Sequence, residues 1–148
     1  MSYNAGEALI LTIVQSCADF DARNTSRENW KVLNEGKAAH YAILRPGAFS
    51  IERGSMRSHD TTWQTVIEVW RRYVNDSETT QLMGSLRDEI IAAIQAKSRL
   101  GDTTGNVVLS GVTGGGDPEA MWTKRGGPQW LRGEIYVEWT ERTTVTLS

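Results

Sequence analysis

Between Gly111 and Leu131 the chain reads GVTGGGDPEAMWTKRGGPQWL, six of its 14 glycines in a stretch from which a phosphate-binding loop could be built. A Walker loop needs G-x-x-x-x-G-K-[ST] at the start of a helix, because the lysine and the helix N-terminus supply the charge that holds phosphate. Here Asp117 and Pro118 follow Gly114–Gly116. An acidic residue in the cradle repels phosphate, and no apolar helical repeat comes after it. G-x-G-x-x-G is not matched either. His40 and His59 are the only histidines, and neither has a second His or Cys at a metal-ligand spacing. The carboxylates of ERG, RDE and VEWTER fall on faces patterned as solvated surface, not as a paired acid and base in a pocket. No serine sits in G-x-S-x-G, and Cys17 has no evident histidine partner. The residues therefore predict no catalytic group, no cofactor and no metal, and Cys17 reads as a small buried hydrophobe.

The elements that would position these residues are legible as patterns. Leu9, Ile10, Ile13, Val14, Cys17 and Phe20 recur at helical spacing with Glu7, Thr12, Gln15 and Asp19 opposite, so the first 20 residues read as an amphipathic helix. DARNTSRENW reads as an irregular connection, with Ser26 or Asn29 starting a short helical turn and Gly36 ending it. AAHYAILRP and AFSIERG flank Pro46-Gly47, which predicts a hairpin turning at that dipeptide. GSMRSHDTT is polar and predicts a surface loop of about nine residues.

TTWQTVIEVWRRY is the strongest strand, with Trp63, Thr65, Ile67, Val69 and Tyr73 on one side and Val66, Glu68, Trp70 and Arg72 on the other. Bulk on both sides places it centrally. In NDSETTQLMGSLRDEIIAAIQAKSRLG, Asn75, Asp76 or Ser77 caps a helix whose Leu82, Leu86, Ile90 and Ile94 repeat every four residues, and Gly101 sits past its end. NVVLSGV is a short strand, and LRGEIYVEWTERTTVTL is a half-buried one with Ile135, Val137 and Trp139 inward. The order α-β-β-β-α-β-β predicts an α+β fold over residues 1–148: a mostly antiparallel or mixed sheet with two main helices packed on it.

Sixteen basic and 18 acidic residues leave a net charge of −2, which gives tight sequence-independent nucleic-acid binding no electrostatic basis. The start of the chain lacks the basic region and cleavage site of a signal peptide, and its apolar run is broken by Thr12, Gln15 and Ser16, so a product of the cytoplasm with no membrane span is expected.

What remains is surface. Trp122 and Trp130 stand in a segment with no strand or helix periodicity, and tryptophan is enriched at interface hot spots. RPGAFSIERG, MRSH and KRGG spread cations through several loops, and Glu52, Asp117, Glu119 and Glu141 supply the opposite sign nearby. Two such different patches suit a head-to-tail contact between subunits. In that reading the glycines let the connection re-order as a neighbour arrives.

The N-terminal helix, ILRPG...IERG, TTWQTVIEVWRRY leading into NDSETTQLMGSLRDEIIAAI, and GG.DPE.MW....GPQWLRGEIYVEWTE together resemble the tail terminator (tail completion) proteins of long-tailed bacteriophages, the family typified by the lambda tail terminator. The resemblance covers nearly the whole chain. It implies an α+β subunit that forms a hexameric ring on the last ring of tail tube protein, stops tube growth and offers a surface to the head-side connector or stopper. It implies a virion protein of the tail-neck junction, made in the host cytoplasm, through whose ring DNA passes without tight binding. Arg45, Arg53, Arg57, Trp122, Lys124 and Trp130 fall where that family makes ring and tube contacts. The alternatives are a head-side neck adaptor or stopper, or, in a different class, a small enzyme binding a nucleotide or phosphate ligand near Gly114–Gly116.

Overall fold

The computed structural model describes residues 3–35, 37–53, 58–103, 106–122 and 129–144; the side chains of Asn34, Glu35, Glu52, Arg53, Ser58, Asp76, Met121, Trp122 and Thr144 fall outside that description. In chain order the elements are α1 (Tyr3–Gln15), β1 (Thr25–Arg27), α2 (Val32–Glu35), β2 (His40–Arg53), β3 (Ser58–Arg72), α3 (Asp76–Gln95), β4 (Val107–Gly114), β5 (Glu119–Trp122) and β6 (Gln129–Thr144). The fold is α+β, as the element pattern predicts.

The strands make one sheet in the order β1-β2-β3-β6-β4, with β5 paired to the same edge of β6 as β4. Only the β1–β2 pair is parallel. Strand β3 is central, and its partners are long: β2, β3 and β6 have 14, 15 and 16 residues, about 50 Å for the longest at 3.3 Å per residue.

One face of the sheet is covered by α1 and α3. Ile10, Ile13 and Val14 from α1 and Met83, Leu86, Ile90 and Ile94 from α3 meet Ala42, Leu44, Ile67, Val69, Ile135, Val137 and Trp139. Cys17 is buried there, and burial together with the Glu89 and Asp19 carboxylates pushes its thiol up to about 11. Asn75 is the N-cap of α3, its side chain accepting from the Glu78 amide at 2.8 Å. The helix stops at Gln95, short of Gly101, which closes a following turn at φ +81°. Glu7, expected on the wet side of α1, is instead buried, and its carboxylate takes hydrogen bonds from Tyr3 and Arg27. The same link runs on through Thr65, which donates to the Tyr3 hydroxyl at 3.2 Å and accepts from Trp139 Nε1 at 3.3 Å.

Pro46-Gly47 does not turn the chain. Strand β2 runs through it, and the register slips by one residue between Pro46↔Thr65 and Phe49↔Trp63. A proline can sit in β2 because β1 pairs only with Ala42–Leu44, which leaves the position on an open edge among the described residues. The extra residue is a β-bulge, held where the Ala48 amide donates to Gln64 Oε1 at 3.4 Å. The hairpin instead joins β2 to β3. Of the segment read as a polar loop, Ser58 onward, His59 and Asp60 included, is strand β3, and residues 54–57 lie outside the described residues.

Gly6 is where α1 meets the sheet, and a Cβ added there would fall inside van der Waals contact of the Trp139 ring. Alanine is worth about 1 kcal/mol over glycine in a helix, but forced overpacking costs about 1–3 kcal/mol. Gly6→Ala is therefore expected to lower the thermal midpoint; a raised midpoint would show that α1 shifts freely over Trp139.

Candidate functional site

The opposite face of the sheet carries side chains that alternate with the core: Tyr41, Ile43 and Arg45 of β2, Val66, Glu68, Trp70 and Arg72 of β3, and Trp130, Arg132, Glu134 and Tyr136 of β6. Leu33, Tyr41, Ile43, Trp70 and Trp130 form a second apolar cluster there. Beside it opens a concavity of about 720 Å³ lined by Trp30, Lys31, Leu33, Arg45, Glu68, Trp70 and Arg132.

At its floor lies Glu68, a carboxylate in the central strand with 3% of its surface exposed. A charge so placed must be paired and hydrogen-bonded. Arg45 Nε donates to it at 2.6 Å, Trp30 Nε1 at 2.8 Å and Trp70 Nε1 at 3.1 Å. Arg45 also reaches Glu134 with Nη2 at 2.7 Å. Burial works against the Arg45 charge, but the Glu68 and Glu134 carboxylates outweigh it and raise its pKa above the ordinary value. Arg132 is held more loosely, at 3.5 Å from Glu119 and 4.0 Å from Glu134, with its guanidinium 5.7 Å from the centre of the Trp70 ring. The arrangement offers aromatic walls, a buried acid already satisfied, and arginines paired with the chain's own carboxylates.

The sequence-predicted contacts do not converge on this concavity. Arg45 lines it, but its guanidinium is committed to two carboxylates of its own chain. Trp130 is a correction: it is fully buried, packed 5.8 Å from the Tyr41 ring with the Arg72 guanidinium 5.1 Å from its centre. It lies near the start of β6, where Leu33, Tyr41, Ile43 and Trp70 pack around it, so it belongs to the second apolar cluster and not to an interface. Glu141, read as surface charge, is likewise 5% exposed on the helix-covered face. Of Arg53 and Trp122 only the backbone is described, in β2 and β5, and Arg57 and Lys124 lie outside the described residues.

Sequence reasoning missed Trp30, Lys31 and Glu68 as site residues. Glu68 was signalled by an acid alternating with Val66 and Trp70 in a strand read as central. His40, at the start of β2, is partly packed: its Nε2 lies 2.6 Å from the Asp19 carbonyl and its Nδ1 3.0 Å from Arg71 Nη1. Among the described residues no three His, Cys, Asp or Glu side chains come together as metal ligands, and no helix is long and apolar enough to cross a membrane.

The glycines at the β4–β5 corner make no phosphate cradle. Gly115 and Gly116 turn their carbonyls to the Arg87 guanidinium of α3, and the Gly115 amide donates to the Glu134 carbonyl at 2.7 Å. The hollow beside them is lined by Asp117, Glu119 and Glu134 against one cation, Arg132, a field that repels anions. No family model matches the chain, and no curated protein matches it significantly.

Two substitutions test this account. Trp130→Ala is expected to cost about 3–5 kcal/mol in urea denaturation, the scale for emptying a buried tryptophan site; an unchanged midpoint with impaired self-association would return Trp130 to the surface. Glu68→Ala strands Arg45 and two indole N–H groups, with an expected loss of about 3–5 kcal/mol. Glu138→Ala, at an exposed position on the same face, should stay within about 0.5 kcal/mol, and equal losses for the two would contradict the buried network.

Proposed function

We propose that this chain is a structural subunit of the neck of a long-tailed bacteriophage, a tail terminator that assembles as a ring on the end of the tail tube. The reading is supported by the α+β architecture that the resemblance implies, and one observation carries it further. Beyond the bulge in β2, Phe49 and Ile51 are 62% and 65% exposed. Two large apolar side chains, two residues apart on a strand edge that is open among the described residues, are a surface that another protein chain covers.

The partners in this proposal are further copies of the chain, the tail tube protein and a head-side connector, with the virion neck as location. The net charge of −2 suits a ring that DNA traverses without adhering. The β4–β5 corner, with its carbonyls turned to Arg87, favours this contact-making role over the phosphate-binding alternative.

The purified chain is expected to co-sediment with tail tubes and, added during tube polymerisation, to shorten the mean tube length. Native mass spectrometry of the tube-bound form should give a ring stoichiometry. Tubes that grow to unchanged length with the chain left in the supernatant would overturn the proposal, and binding to heads instead of tubes would move it to the adaptor or stopper role.

A further inference from the structure

Past Leu44 the outer edge of β2 is uncovered among the described residues. Strand β1 follows β2 only along Ala42–Leu44, where the Ala42 amide donates to the Asn24 carbonyl and the Glu28 amide to the Leu44 carbonyl, each at 2.9 Å. Glu28 then turns with φ +53°, a left-handed conformation that ends the extended run, and the chain crosses to Trp30 on the concavity face. Pro46, the next position on the outer edge, has no N–H for a neighbour to take.

The backbone groups beyond the bulge follow from the same ladder. Ala42 and Leu44 turn theirs outward to β1, and they stand opposite Val69 and Ile67 of β3. In an antiparallel pair such outward-facing residues recur at every second position of both strands. Trp63 and Thr61 continue the Val69–Ile67 series, so their partners Phe49 and Ile51 also turn N–H and C=O outward. The two residues with free edge groups are thus the two with exposed apolar side chains, and the Phe49 ring is braced 5.3 Å from Trp63. Natural edges carry charge, proline or a bulge to repel a neighbouring strand. Here Pro46 and the bulge come before the pair, and no charged residue stands between Pro46 and Ile51.

We infer that Phe49–Ile51 is a strand-addition site, at which an extended segment of a different protein joins the sheet as an extra strand. Its alternate apolar side chains pack beside Phe49 and Ile51, and the intervening ones, beside Ser50, are polar. Main-chain hydrogen bonds supply affinity in such a contact and the alternate side chains supply selectivity. The inference rests on the proposed function only in taking this edge as a contact between proteins. A second copy of the chain is disfavoured there. Pairing of the edge with itself is two-fold and builds no ring, and β4, at the other edge of the sheet, already gives its Leu109 amide to the Ser98 carbonyl at 2.8 Å.

The test uses the full-length chain and, as probe, a capped octapeptide alternating valine and threonine between lysine ends. By NMR the Phe49 and Ile51 amides should exchange rapidly in the free chain and Ser50, turned to Thr62 of β3, slowly; the peptide should slow the first two. N-methylation of the peptide on its valines or on its threonines should abolish binding in one case and spare it in the other, because only one set of amides faces the edge. Ile51→Pro removes an outward N–H where an edge strand tolerates proline, and should weaken peptide binding about tenfold, the scale of one hydrogen bond. If circular dichroism shows that this variant unfolds, the α-hydroxy acid analogue of isoleucine at position 51 deletes the same N–H.

Peptide contacts that map elsewhere, binding that survives both methylations, or no binding at any concentration would overturn the inference. So would a chain that dimerises alone with both amides protected, since a second copy would then occupy the edge. The same exchange measurement on the chain bound to purified tail tubes separates this inference from the proposed function. Capture by tubes with both amides still exchanging freely would sink strand addition and leave the tail reading standing. Peptide pairing at the edge with no capture by tubes would do the reverse.

Discussion

A carboxylate withdrawn from water at the centre of the sheet sets the terms for the second face of this protein. Arg45 and two indole N–H groups satisfy Glu68 there, so the loop carrying Trp30, the Trp70 ring and the Arg45 side chain are tied together by one acid. The concavity follows from that arrangement. Trp30 is drawn over the sheet by its hydrogen bond yet keeps 39% of its surface exposed, so it stands as a wall instead of closing the space.

A single inserted residue decides which face the far end of β2 presents. Without the bulge, strand alternation would put Ala48, Ser50 and Glu52 on the Trp63 side and turn Phe49 and Ile51 to the face that holds the concavity. The register slip moves the apolar pair onto the Trp63 side and leaves the opposite face of the neighbouring strands to Thr62, Thr140 and Ser110. Those three hydroxyls hydrogen-bond across the strands at 3.1 and 2.8 Å. That end of the sheet thus has one apolar and one hydroxylated face.

The elements readable in the sequence were those whose pattern is decided locally. Strand β3 showed in its β-branched alternation, α3 in its four-residue repeat and its Asn75 cap, and β6 in Ile135, Val137 and Trp139. Pro46-Gly47 misled because a Pro-Gly dipeptide suits a turn and an edge bulge equally, and the choice falls to β3, which goes on pairing past it. Trp130 was misplaced because its enclosure comes from Leu33, Tyr41, Ile43 and Trp70, which are far away in sequence and meet it only once the sheet is assembled. The Arg45–Glu68–Glu134 network spans 89 positions of sequence and exists only once register is set, so no spacing rule could have found it.

The corner between β4 and β5 gives glycine a different meaning from the one composition suggests. A Cβ at Gly114 or Gly133 would strike Arg87, and one at Gly115 would strike Tyr136, so these glycines are gaps cut to let a guanidinium from α3 into the backbone. With two of its carbonyls held by Arg87, the corner is tied to α3, so that edge of the sheet and the helix are linked through one side chain.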